Sequence, residues 1–280
     1  MKVTATVAWL NVVCALLVCT SSLAAQEPVK KFKVVAIYTG KSDQAHISFG
    51  REANQWFPKM GTLHGFQYVA TTNWAQLTPD FLAQYQVVLF LDTRPDDGAQ
   101  RNAFQTYMEQ GGAWMGFHFA AFALTPSAYA QDWDWYHNQF LGSGEYVSNT
   151  WRPTSAILRV EDSTHPAVAH LPATFSSSPN EWYRWKNDLR MNPDIRILLS
   201  IDPSSFPLGT GPKPHEIWHS GYYPVVWTNK KYRMLYVNMG HNDIDYEHKT
   251  NQELSLTFTN ELQNKLVLDG LLWLGSGKGK

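Results

Sequence analysis

Lys33 to Tyr38 is a β-branched apolar run that stops at Thr39-Gly40, which predicts a buried first strand with its loop. Beyond that loop Ile47, Phe49, Ala53, Trp56, Phe57 and Met60 recur at helical spacing and Gly61 follows, so a helix is predicted from Ala45 to Met60. Phe66 to Ala70 reads as a second strand, Thr78-Pro79-Asp80 as the start of a short helix, and Val87 to Leu91 as a third strand ending at Asp92. Gly98 to Gln110 places Phe104, Tyr107 and Met108 on one helical face before the Gly111-Gly112 stop, and Trp114 to His118 forms a fourth strand. Strands and helices in this alternation imply an α/β fold with a parallel sheet and helices on both faces.

After Ala121 the periodicity loosens. The stretch from Gln131 through Trp133, Trp135 and His137 to Gly144 is read as a loop-rich insertion over the sheet edge. Ile157–Val160, Ile195–Ile201, Pro224–Trp227 and Met234–Met239 are further strands, the middle two separated by a glycine- and proline-rich loop. Leu262, Leu266, Leu271, Leu272 and Trp273 mark a closing amphipathic helix from about Asn260 to Leu274.

The first 25 residues change the picture of where the chain works. Lys2, an apolar run from Val7 to Val18, and the small residues Ser21, Ser22, Ala24 and Ala25 have the layout of a secretory signal peptide. The apolar stretch is short of the roughly 20 residues a membrane-spanning helix needs, so cleavage near Ala25 and a periplasmic or secreted protein are expected, without stable membrane insertion. Lipid attachment at Cys19 is the alternative, against which Val18 stands where a small residue is usual. Both cysteines, Cys14 and Cys19, fall inside this leader. The mature chain, residues 26–280, therefore has no thiol chemistry. Its length of about 255 residues suits one α/β domain. A net charge of −1, with no basic cluster beyond Lys30, Lys31 and Lys33, argues against a nucleic-acid partner. Twelve tryptophans and thirteen tyrosines are many, and several stand in polar, loop-like surroundings where aromatics stack on sugar rings as well as cover cores.

Ligands of open α/β sheets bind outside the carboxyl ends of the strands. Four polar residues belong there: His46 shortly after the first strand, Asp92 after the third, His118 after the fourth and His241 after the last. His118 and His241 each follow a glycine closely, which lets backbone or ligand approach. His215-Glu216-Ile217-Trp218-His219 matches the two-histidine zinc-protease pattern, but Gly209, Gly211, Pro212 and Pro214 before it and Gly221 and Pro224 after it leave little room for the helix that pattern needs. In extended chain the two imidazoles stand roughly 13 Å apart. Thr39-Gly40-Lys41-Ser42 lacks both the P-loop glycine and the dinucleotide fingerprint, so no nucleotide cofactor is expected. No Gly-x-Ser-x-Gly elbow stands at a strand tip. Acid, base or metal work by histidine and a carboxylate remains.

Gly111-Gly112-Ala113-Trp114-Met115-Gly116-Phe117-His118-Phe119-Ala120 resembles the Gly-Gly-Gly-x-x-Gly-x-His-x-Ala motif of the ThuA-like (trehalose utilisation) family, within the class I glutamine amidotransferase-like superfamily. Asp162-Ser163-Thr164-His165-Pro166, Glu181-Trp182-Tyr183, Pro224-Val225-Val226-Trp227 and Gly240-His241 resemble its other motifs in the right order. The resemblance implies a flavodoxin-like three-layer sandwich with a mostly parallel central sheet. Amidotransferases of this superfamily carry a nucleophilic cysteine at the strand tip, which is absent here, so glutaminase activity is not implied. A role in carbohydrate use is implied instead, on glycosides or 3-keto-glycosides, with His118, Glu181 and His241 as the carried-over site. Tyr146 and Trp151 stand where the family usually has phenylalanine and histidine, and Asn229-Lys230-Lys231-Tyr232-Arg233 replaces its Gly-Lys-Gly-Arg.

These readings converge on a sugar-processing enzyme of lyase, isomerase or hydrolase type. In it Glu181 and one of His118 or His241 exchange protons with the substrate while the other histidine polarises an oxygen. His46, Asp92, Trp133, Trp135 and Trp182 are the expected substrate contacts, and the same cleft would accept a divalent metal. A carbohydrate-binding protein without chemistry, stacking sugars on Trp133, Trp135 and Trp182, is the alternative. Zinc-dependent hydrolysis is a third reading. His165 is expected to be a turn device, and His137 a loop residue at the cleft rim.

Overall fold

The computed structural model describes residue 1 and residues 31–41, 43–123, 133–206 and 221–277. The expected leader and the His215 to His219 pattern lie outside the described residues. The first half follows the predicted alternation: β1 (Phe32–Tyr38), α1 (Gln44–His64), β2 (Phe66–Thr71), α2 (Pro79–Leu82), β3 (Val87–Leu91), α3 (Gly98–Glu109) and β4 (Ala113–Phe117). The second half adds short strands β5 (Tyr146–Asn149), β6 (Ile157–Val160), β7 (Thr174–Ser176) and β8 (Tyr183–Trp185). It closes with β9 (Ile195–Ile201), β10 (Tyr223–Asn229), β11 (Tyr232–Val237) and α4 (Glu261–Gly275).

One nine-stranded sheet runs in the order β2-β1-β3-β4-β11-β10-β9-β6-β7. From β2 to β11 all pairings are parallel; beyond β11 they are antiparallel. β5 and β8 form a separate two-stranded ribbon. Strict alternation along each strand divides the apolar residues between two layers. Val34, Ala36, Leu89, Met115, Phe117, Leu235 and Val237 face a core shared with Phe49, Ala53 and Phe57 of α1 and Leu266, Val267 and Leu271 of α4. Val35, Ile37, Val88, Phe90, Trp114, Met234 and Tyr236 face the opposite core, shared with Phe104, Tyr107 and Met108 of α3. The result is the expected three-layer α/β sandwich.

Two details depart from expectation. Helix α1 runs through Gly61 to His64 and stops where Gly65 adopts φ 80°, the left-handed cap that only glycine takes without cost. Gly61 is instead a packing site, since a Cβ there would stand 2.7 Å from the Phe66 carbonyl oxygen. The insertion also does not lie over the sheet edge. Its described part, with a π-helical turn at Trp135–Phe140, packs Trp133, Trp135, Tyr136 and Phe140 onto the α3 side of the sheet, against Phe104 and Trp114.

Candidate functional site

The carboxyl ends of β1, β3, β4 and β11 meet at one rim, and each delivers a polar side chain. Asp43 caps α1 by accepting the Ala45 N–H, which sets His46 in the first turn above β1. Asp92 follows β3 and His118 follows β4, with φ of 56° and 39°. Non-glycine residues in that left-handed region are costly and persist where surrounding contacts hold them. Here the two are tied together, because Oδ1 of Asp92 accepts the Phe119 N–H at 2.9 Å. His241 comes four residues after β11 and is fixed by Asn180, whose Oδ1 accepts the N–H groups of Gly240 and His241.

The side chains converge as predicted. His46 Nδ1 lies 2.5 Å from Oδ2 of Asp92. His118 Nε2 donates to Oε2 of Glu181 at 3.1 Å, and His241 Nδ1 lies 2.9 Å from the same oxygen, an ion-pair contact. Ring centroids of the three histidines stand 4.8 to 5.7 Å apart. His46, His118 and His241 are 6, 0 and 6% exposed, Asp92 is 0% and Glu181 6%, so this is a built, buried cluster.

Burial by itself pushes both carboxyl groups up, but the imidazoles around them more than offset it. The charges of His46, His118 and His241 hold Asp92 below the ordinary carboxylate range. The hydrogen bond from His118 and the nearness of His241 do the same for Glu181, well below that range. Burial dominates at His118 and moves it down, whereas at His241 the contact with Glu181 outweighs burial and moves it up. Two neighbouring imidazoles thus differ in proton affinity, the condition for dividing acid and base work.

Some of the machinery was not legible beforehand. Asn149 of β5 donates to Oε1 of Glu181, so the second carboxylate oxygen is also occupied. The Tyr183 ring lies 4.0 Å from that of His118, and burial followed by the charges of Glu181 and Asp92 raises its hydroxyl far above the usual range. Behind them Tyr236 donates to the His118 carbonyl, Asn238 donates to the Tyr236 hydroxyl, and Asn180 donates to the carbonyls of Asn238 and Glu181. Tyr183 closes the Glu181-Trp182-Tyr183 motif, and Asn180, Tyr236 and Asn238 stand near Glu181 or the Gly240-His241 motif, whereas Asn149 is far from both in sequence.

The predicted tryptophans are a correction. Trp182 is 0% exposed and donates from Nε1 to the Thr154 carbonyl within the core. Trp133 and Trp135, 6 and 8% exposed, belong to the α3-side core, and Trp135 donates to the Tyr232 hydroxyl. None of the three offers a face to a ligand. Partly exposed rings at the site are others: Phe119 is 5.2 Å from His46 and Trp151 is 5.8 Å from His241. His137 is buried rather than at a rim, and desolvation holds it at about 3. His165 is a turn device as expected, its Nδ1 accepting the Ala167 N–H. A cavity of about 340 Å³ beside His165, Arg196, Arg233 and Trp273 lies at the other end of the sheet and contains none of the site residues.

A family model described as trehalose utilisation, ThuA, matches residues 34–274. The chain belongs to the ThuA family. A ThuA-like protein of Bacteroides uniformis shares 34% identity with this ThuA chain, over 90% of it and 94% of the other, at a TM-score of 0.77. A ThuA-like protein of Parabacteroides merdae, 19% identical over 90 and 92% of the two chains with a TM-score of 0.57, shares the fold. No curated protein matches the chain. The glutamine amidotransferase-like architecture is thus established for this ThuA protein, and its strand-tip position holds His118. Among the described residues no helix is long and apolar enough to cross a membrane.

Proposed function

We propose that this protein is exported, loses residues 1–25, and processes a glycoside or keto-glycoside at the His46, Asp92, His118, Glu181 and His241 cluster. The observation that carries the reading is the convergence of His118 and His241 on one Glu181 oxygen, from strands far apart in the chain. Glu181 and one of these imidazoles exchange protons with a sugar hydroxyl, while the other imidazole polarises the adjacent oxygen. The His46–Asp92 pair holds the floor of the site. The family's described role in trehalose utilisation supports a carbohydrate substrate. Phe119 and Trp151 supply apolar faces at the mouth of the kind sugar rings stack on.

The test is turnover of a panel of glycosides and 3-keto-glycosides by the wild type and by His118→Ala, His241→Ala and Glu181→Gln. General acid–base groups contribute roughly 10²- to 10⁴-fold, and each variant is expected to lose about that much. Undiminished turnover in all three rejects the reading. Sugar binding that survives all three, with no turnover by the wild type, favours a carbohydrate-binding protein instead.

A further inference from the structure

The three imidazoles share an arrangement that proton transfer alone does not require. Each has one ring nitrogen turned to a carboxylate: Nδ1 of His46 to Asp92, and Nε2 of His118 and Nδ1 of His241 to Glu181. A carboxylate only accepts, so these nitrogens carry the protons, and in the neutral ring that a metal requires the opposite nitrogen presents a lone pair. Nδ1 of His118 and Nε2 of His241 are buried with no hydrogen-bond partner among the described residues, and Nδ1 of His241, 2.9 Å from Glu181, meets it as an ion-pair contact rather than an aligned hydrogen bond. Leaving such groups unsatisfied in a dry interior costs about 1–3 kcal/mol each, so something that accepts electron pairs belongs there.

We propose that His46, His118 and His241 bind one divalent transition-metal ion of the zinc class, with Asp92 and Glu181 orienting the rings from behind. One ring nitrogen from each histidine lies within 4.8 Å of the others. Zinc bound at about 2.0–2.1 Å to tetrahedral imidazoles brings nitrogens to roughly 3.3 Å, so each ring draws in by less than about 1 Å on binding. A ring carboxylate partner is the usual support of a metal-bound histidine, fixing its tautomer and raising its basicity. Three protein ligands leave a fourth position for a substrate oxygen, the pattern of catalytic rather than structural zinc. Imidazole donors suit zinc, cobalt and nickel and exclude calcium and magnesium as the intended ion.

This inference rests on the proposed function for its chemistry, in which the ion, when bound, would supply polarisation of a sugar hydroxyl or carbonyl. It stands or falls separately by binding. Full-length protein is stripped with chelator, checked for native circular dichroism, and titrated with Zn²⁺ by calorimetry and with Co²⁺ by visible absorption. One equivalent is expected, with the intense absorption band of four-coordinate Co²⁺. His46→Ala abolishes uptake, and Asp92→Asn, which keeps all three ligands, weakens it about 10- to 100-fold. Stripped wild type that takes up neither ion overturns the inference whatever the variants do. Uptake equally strong in both variants overturns it too, since the ion then sits elsewhere. A protein that takes no metal but loses turnover on His118→Ala keeps the proposed function and loses the metal. Stoichiometric metal without turnover of any sugar does the reverse.

Discussion

Two tryptophans one β-ribbon apart show how burial decides the role of a residue. Trp182→Phe removes a hydrogen bond 2.8 Å long to the Thr154 carbonyl, which keeps only the Asn180 N–H as a donor, and leaves space in the core where the larger indole stood. It is expected to lower stability by about 1–2 kcal/mol in urea unfolding, from the lost hydrogen bond and the lost packing, with KM for the substrate unchanged in the folded protein. Trp151→Ala is expected to do the opposite, raising KM roughly five-fold with little change in unfolding midpoint, because its ring borders His241 and is half-buried. Equal KM effects from both substitutions would return Trp182 to the ligand site. The histidines and Asp92 were legible because they sit at strand tips and the strands were legible. The tryptophans were misassigned because polar neighbours in sequence do not say which way an indole turns. Trp133 and Trp135 are flanked by aspartates, yet stack with Tyr136 and Phe140 over Phe104.

At the scale of elements, a helix-breaking residue has been mistaken for a boundary. Gly61→Ala improves helix propensity by about 1 kcal/mol but drives a methyl group to 2.7 Å from the Phe66 carbonyl, a backbone atom that moves only with β2. A net loss of about 1–2 kcal/mol is expected in chemical denaturation; a gain would show that α1 and β2 slide apart freely. Val87–Leu91 falls where its apolar run predicts it, since a strand buried on both faces announces itself by continuous apolarity, and Ile157–Val160 and Ile195–Ile201, each interrupted by an arginine, also fall at their predicted positions. β5, β7 and β8 went unseen for the complementary reason. They are three or four residues long and half exposed, and no periodicity survives at that length. Asn149 and Tyr183, both on this short ribbon, were missed with it.

For the whole molecule, buried neutral histidines outside the site set a response to acid. Burial holds His165 at about 4 and His137 at about 3, both below the value of about 6.5 that the unfolded chain restores. The unfolded state therefore binds more protons below pH 6.5, and stability falls as pH drops from there toward 4. Urea midpoints measured at pH 7 and pH 5 are expected to separate, and His165→Gln is expected to narrow the gap. An unchanged gap would place the acid sensitivity elsewhere.

The order of strands has a consequence for how the chain comes into being. β11, near the end of the sequence, lies between β4 and β10, so the middle of the sheet is the last part synthesised. Until the ribosome has released residues beyond Val237, β4 keeps a bare hydrogen-bonding flank at the heart of the protein, a template for pairing with any other nascent copy. A chain cut short after β10 is thus incomplete at its centre rather than at its margin. The same late arrival brings His241, so the buried histidine–carboxylate cluster and the closure of that seam are completed in one event.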